Sequence, residues 1–96
     1  MIRSFADEAT EAVFYGEDTK AARRLPKTPW PLLRRKLDLL HGASSLGDLR
    51  VPPGNRLEAL RGDQSGRHSI RVNEQYRITF RFGADGAWEV RCEDYH

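Results

Sequence analysis

Apolar residues along the chain follow two periods, and the change from one to the other falls near residue 55. Up to Gly42 they recur every three or four positions. Ala9, Ala12 and Val13 share one side of a helix that Asp7 caps, that Glu8 and Glu11 suit at its first turn, and that Gly16 ends. A second helix opens near Thr28 with Pro29 at its first position. Trp30, Leu33, Leu37 and Leu40 form its buried stripe, Arg34, Arg35, Lys36 and Asp38 face water, and Gly42 stops it. Residues 17–28 between them are charged and read as irregular or weakly helical, and the alternation over Met1–Phe5 reads as a first strand.

The stretch 42–55, GASSLGDLRVPPGN, is rich in turn residues, and Pro52-Pro53-Gly54 excludes regular structure there. Beyond it the period is two. A short strand over 56–61 leads through a loop at 62–66 into a strand over 67–72. A turn at 73–75, a strand over 76–82, a turn at 83–86 and a last strand over 87–95 follow. The order β-α-α-β-β-β-β predicts an α+β fold: a twisted antiparallel sheet with two helices packed on one face, in one domain spanning 1–96.

Residues two apart in a strand share a face. Tyr76, Ile78, Phe80 and Phe82, with Ile70, Val72, Trp88, Val90 and Cys92, therefore make the core side. Arg77, Thr79 and Arg81, with Arg67, Ser69, Arg71, Glu89, Arg91 and Glu93, take the other. A polar outer face is ordinary for such a sheet. Four arginines on two neighbouring strands is also the pattern of a surface that tracks phosphates.

Composition narrows the choice. The 96 residues carry 16 Lys plus Arg against 14 Asp plus Glu, and 39% are hydrophobic. No apolar run spans a bilayer, and Arg3, Asp7, Glu8 and Glu11 interrupt any secretory leader. A lone Cys92 forms no internal disulfide, so we expect a cytoplasmic protein with no membrane contact. A pI near 9.0 says little by itself. From Arg50 onward, however, the eight basic residues are all Arg, whose planar fork fits phosphate and stacks on bases.

The chain closes on Asp94, Tyr95 and His96: a carboxylate, a phenol and an imidazole beside the arginine face. They form either a plain polar terminus or a set of groups able to move and steer protons. His41 closes the second helix, where a cation suits the dipole, and His68 falls on the core side. Histidines at 41, 68 and 96 lack metal-ligand spacing, so no metal and no cofactor is assigned. Cys92 reads as a buried structural thiol. No phosphate-binding glycine loop or nucleophile elbow is present.

The segments DLRVPPGNRLEALRGD, HSIRVNEQYRITFRF and the terminal EDYH, with MIRSF at the start, resemble the HigB-type toxins of the RelE/ParE superfamily over essentially the full chain. The resemblance implies a microbial-ribonuclease-like fold and a ribosome-dependent endonuclease that cuts messenger RNA in the ribosomal A site. The implied partner is a HigA-type helix-turn-helix antitoxin, through which alone the toxin meets operator DNA. The family's terminal Asp-Tyr-His maps onto Asp94, Tyr95 and His96, its basic residue before the Gly-Asp turn onto Arg61, and its YRI arginine onto Arg77. Some members carry a histidine where this chain has Glu58.

On that basis His96 is the expected proton shuttle, tuned by Asp94, with Glu58 as the other candidate base. Arg77 and Arg61 would stabilise phosphorane charge, Arg67, Arg71 and Arg81 would hold flanking phosphates, and Tyr95 would stack on a base or bond a phosphate. Two other readings stay open. The fold also serves ParE-like poisons of DNA gyrase that cut no RNA, and an attenuated toxin would act mainly as a corepressor with its antitoxin.

Overall fold

A computed structural model describes residues 1–95 of the chain. Two helices, α1 (Glu8–Phe14) and α2 (Trp30–Gly42), precede four strands, β1 (Glu58–Ala59), β2 (His68–Arg71), β3 (Tyr76–Gly83) and β4 (Gly86–Asp94). The strands pair antiparallel in chain order, β1-β2-β3-β4. Asp7 Oδ1 accepts the Thr10 N–H at 2.8 Å, which satisfies one of the free donors at the start of α1. Leu33, Leu37 and Leu40 of α2, with Ala12 and Val13 of α1, pack on Ile70, Ile78, Phe80 and Val90 of the sheet. This is the α+β fold read from the sequence. Burying each of the larger of these side chains contributes about 1.5–3 kcal/mol before entropy is counted.

Several local expectations give way. Pro29 is the N-cap of α2, and Pro31 sits inside its first turn, where a missing N–H leaves nothing unpaired. Met1–Phe5 forms only two isolated parallel bridges along β4, Ile2 to Ala87 and Phe5 to Val90. Gly86 permits that approach: at φ +133° it would place a Cβ 2.1 Å from the Met1 carbonyl oxygen. Within 42–55 the chain makes two 3-10 turns, Leu46–Arg50 and Pro53–Asn55. Ser45 and Asp48 cap the first reciprocally. Proline opens the second because an N–H there would have no intrahelical partner.

Lys36 does not simply face water. Its Nζ donates to Asn55 Oδ1, and its partial burial pushes the ammonium pKa down. Asn55 is itself buried and donates to the carbonyls of Leu49 (3.1 Å) and Val51 (3.3 Å), tying the irregular loop to α2. His41 does more than complement a helix dipole: Nδ1 accepts the Ile2 N–H at 3.1 Å and the ring lies 5.4 Å from that of Phe14.

The largest departure is in β4. Arg81 pairs with Trp88 and Thr79 with Arg91, so Glu89 and Val90 together oppose Phe80 in a bulge. Glu89 sits at φ +53°, and the extra residue reverses the alternation before Val90. Ala87 turns into the core, and Trp88 turns out of it with 40% of its surface exposed.

Candidate functional site

Directly opposed residues of an antiparallel pair lie on the same face, so the register sorts the outer face into rows. Arg71, Arg77 and Glu93 stand side by side across β2, β3 and β4. Glu58, Ser69, Thr79 and Arg91 form the next row across all four strands. Arg67 and Arg81 lie beyond, with Trp88 opposite Arg81.

The middle of this face is closed by its own hydrogen bonds. Arg67 Nη2 donates to Thr79 Oγ1 (3.0 Å) and to the Glu89 carbonyl (2.8 Å). Thr79 donates to Glu93 Oε2, and Arg91 pairs with Glu93 Oε1 at 3.3 Å. Ser69 and Thr79 are thereby buried although they face outward. Burial alone would push the Glu93 carboxyl up. The Thr79 hydroxyl, Arg91, Gln64 and Arg77 outweigh it and hold the group below the ordinary carboxylate range. At the far end Arg81 Nε meets Glu89 Oε2 at 2.7 Å.

The end nearest the chain terminus is different. Arg71 Nε donates to the Asn73 carbonyl at 3.0 Å, and the Arg77 guanidinium lies 5.5 Å from the centroid of the Tyr95 ring. Buried Arg77 Nε has no hydrogen-bond partner among the described residues. Neither arginine makes an ion pair within 4.0 Å among the described residues, whereas Arg81 and Arg91 do. An open cleft of about 380 Å³ adjoins them, lined by Arg56, Glu58, Arg71, Glu74 and Tyr95. Two cations and an aromatic face, with the carboxylates of Glu58 and Glu74, line this open cleft, a set that can hold a phosphodiester and a base together.

The site residues read from the sequence therefore divide. Glu58, Arg71, Arg77 and Tyr95 come together at the cleft end. Asp94 alternates to the other side, opposite Tyr76, where its Oδ2 accepts from Gln75 Nε2 at 3.0 Å. Glu93 is the carboxylate in register with Arg77. Arg61 is exposed at the entrance to the Gly62–Gln64 turn. Arg67 and Arg81 are held by protein groups at the opposite end. His96 lies outside the described residues. Cys92 is buried, which pushes its thiol up to about 12, with Asp7, Glu93 and Asp94 adding to the shift, and leaves no thiolate near neutral pH.

Sequence reasoning passed over Arg56, Glu74 and Gln75. Arg56 reaches the cleft from a left-handed backbone at φ +47°, which no strand pattern signals. Gln75 sits in a turn, yet its carbonyl accepts the Tyr95 N–H at 2.8 Å while its amide holds Asp94.

Residues 3–96 match the family model of the HigB-like toxin, described as the RelE-like toxin of type II toxin-antitoxin system HigB. Toxin HigB-1 of Vibrio cholerae is 46% identical over 82 residues, covering 85% of this chain and 84% of the relative. Endoribonuclease HigB of Proteus vulgaris is 30% identical over 96 residues, the whole of both chains. Among solved structures, a YoeB/ParE toxin from Agrobacterium tumefaciens shares the fold at TM-score 0.55 and 18% identity, over 99% of this chain and 98% of that one.

Proposed function

The chain belongs to the HigB-like toxin family of type II toxin-antitoxin systems, and on that premise we propose that it is a ribosome-dependent endoribonuclease that cleaves messenger RNA during translation. A type II toxin has an antitoxin partner; we assign that partner to the HigA-type helix-turn-helix class, with operator DNA met only through the complex. Residues 1–96 act as one toxin domain in the cytoplasm.

One observation carries the reading: Arg71 and Arg77 stand adjacent across β2 and β3 with no ion pair within 4.0 Å among the described residues, Arg77 against the Tyr95 ring and Arg71 lining the open cleft that Tyr95 also lines. The relative named an endoribonuclease supports it over the whole chain length.

The chemistry needs only groups of this chain and the substrate. The substrate's 2′-hydroxyl attacks the adjacent phosphorus; the 2′-O–P bond forms and the P–O5′ bond breaks. A base takes the 2′ proton and an acid returns one to the leaving 5′ oxygen, a contribution of about 10²–10⁴-fold. His96 shuttles these protons, with Asp94 tuning it and Glu58 as the carboxylate of the cleft. Arg77 and Arg61 balance the charge that develops on phosphorus, while Arg67, Arg71 and Arg81 contact flanking phosphates. Tyr95, held by its stack on Arg77, carries a base.

End-group analysis of the cut RNA tests this route. It predicts a 2′,3′-cyclic phosphate or 3′-phosphate on one fragment and a 5′-hydroxyl on the other. A 2′-deoxy substitution at the cut site should abolish cleavage, and efficient cutting of such a substrate would refute the mechanism.

A further inference from the structure

We propose that Trp88 is a second base-stacking position on the arginine face, a subsite for an unpaired RNA base remote from Tyr95; this rests on the endoribonuclease reading above. The β4 bulge is what puts it there. Counting back from Val90 in an unbroken strand would send Trp88 into the core, but its register partner is Arg81 and it lies with the arginines. The bulge is held from three sides. The Glu89 N–H donates to Ser4 Oγ at 2.9 Å, the Glu89 carbonyl accepts from Arg67 Nη2 at 2.8 Å, and Glu89 Oε2 meets Arg81 Nε at 2.7 Å. Three contacts maintain a positive-φ residue whose consequence is an exposed indole.

That indole is also fixed in orientation. Nε1 donates to Asp85 Oδ1 at 3.0 Å, and no aromatic ring or cation stacks on it among the described residues. A ring held at its edge, with 40% of its surface exposed, loses little freedom when a base lands on it. Its register partner Arg81, although paired with Glu89, keeps half of its side chain exposed, which leaves guanidinium N–H groups to meet a phosphate beside the ring. Along β4, Trp88 and Tyr95 are separated by roughly 20 Å at about 3.3 Å per residue. That spacing suits a single strand of about four or more nucleotides, anchored at each end by an aromatic ring with arginines between.

The test is equilibrium binding of a fluorescein-labelled, unpaired 2′-O-methyl RNA decamer, which cannot be cut, over a series of salt concentrations. The proteins are wild type, Trp88→Ala, Trp88→Phe and Arg77→Ala, each checked for a wild-type-like circular dichroism spectrum. Trp88→Ala should weaken binding about 5- to 100-fold with an unchanged salt slope, because stacking releases no counterions. Trp88→Phe, which keeps a ring, should recover most of it. Arg77→Ala should weaken binding and flatten the slope by about one. If Arg77→Ala weakens binding and Trp88→Ala does not, the subsite is refuted while the RNA face stands. If Trp88→Ala spares RNA binding and weakens binding of the antitoxin, Trp88 belongs to a protein interface and the proposal is wrong. Absence of binding by the wild type would overturn this proposal, while the ribosome-dependent reading is decided separately by mapping cuts on translated message.

Discussion

Replacing Asn55 by Ala strips the irregular loop of its internal anchor. The substitution deletes two N–H donors that reach Leu49 and Val51 and the acceptor that holds the Lys36 ammonium. Leu49 is buried, so its carbonyl is stranded, at a cost of about 1–3 kcal/mol. Val51 is exposed and its carbonyl recovers water, leaving a net loss of about 0.5–1.5 kcal/mol. The half-buried lysine can swing outward, so its loss is at the low end for a charged hydrogen bond, about 1.5 kcal/mol. The sum is about 3–6 kcal/mol, against a total stability of about 5–14 kcal/mol for a chain of this length. At about 4–8 °C per kcal/mol the melting temperature should fall by about 12 °C or more. Urea unfolding followed by circular dichroism should show a lower midpoint at unchanged m, since the surface exposed on unfolding barely changes. A loss below about 0.5 kcal/mol would refute the anchoring role, because it is less than one buried hydrogen bond.

Two pH dependences follow from the buried groups. Burial raises the Cys92 thiol from 9.0 to about 12, so the folded state keeps a proton that the unfolded chain releases. Stability should therefore be intact below pH 9 and decline as pH rises from 9 toward 12, with Cys92→Ala removing that decline in alkaline urea titrations. Glu93 behaves oppositely: its depressed carboxyl stabilises the fold above the ordinary carboxylate value of 4.5. The stability gap between wild type and Glu93→Gln should be widest near neutrality and shrink as pH falls below 4.5; a gap that grew on acidification would contradict the assignment.

How far the sequence could be read depended on how local each cause was. Period-two alternation placed Ile70, Ile78 and Phe80 inward and Arg67, Arg71, Arg77 and Arg81 outward correctly, because β2 and most of β3 pair without interruption. The same rule misplaced Trp88, since one extra residue at Glu89 reverses every side chain before it and nothing near it in sequence marks the bulge. Its supports, Ser4, Arg67 and Arg81, lie 85, 22 and 8 positions away. Lys36 was read as solvent-facing because helix periodicity sees only its own helix, and Asn55 comes to it from 19 residues downstream. The Asp-Tyr-His terminus was legible as a set of chemical groups. Strand alternation then divides it, setting Tyr95 over Arg77 and Asp94 beside Gln75.

The most direct test of the central claim is primer-extension mapping of one messenger RNA in a reconstituted translation reaction, run with and without ribosomes. Wild-type toxin should produce cuts only when ribosomes are translating the message. Arg77→Ala and His96→Ala, both still folded and still bound by the antitoxin, should lose those cuts by about 10²-fold or more. Intact message despite growth arrest on expression would contradict the account and point instead to a poison that acts without cutting RNA.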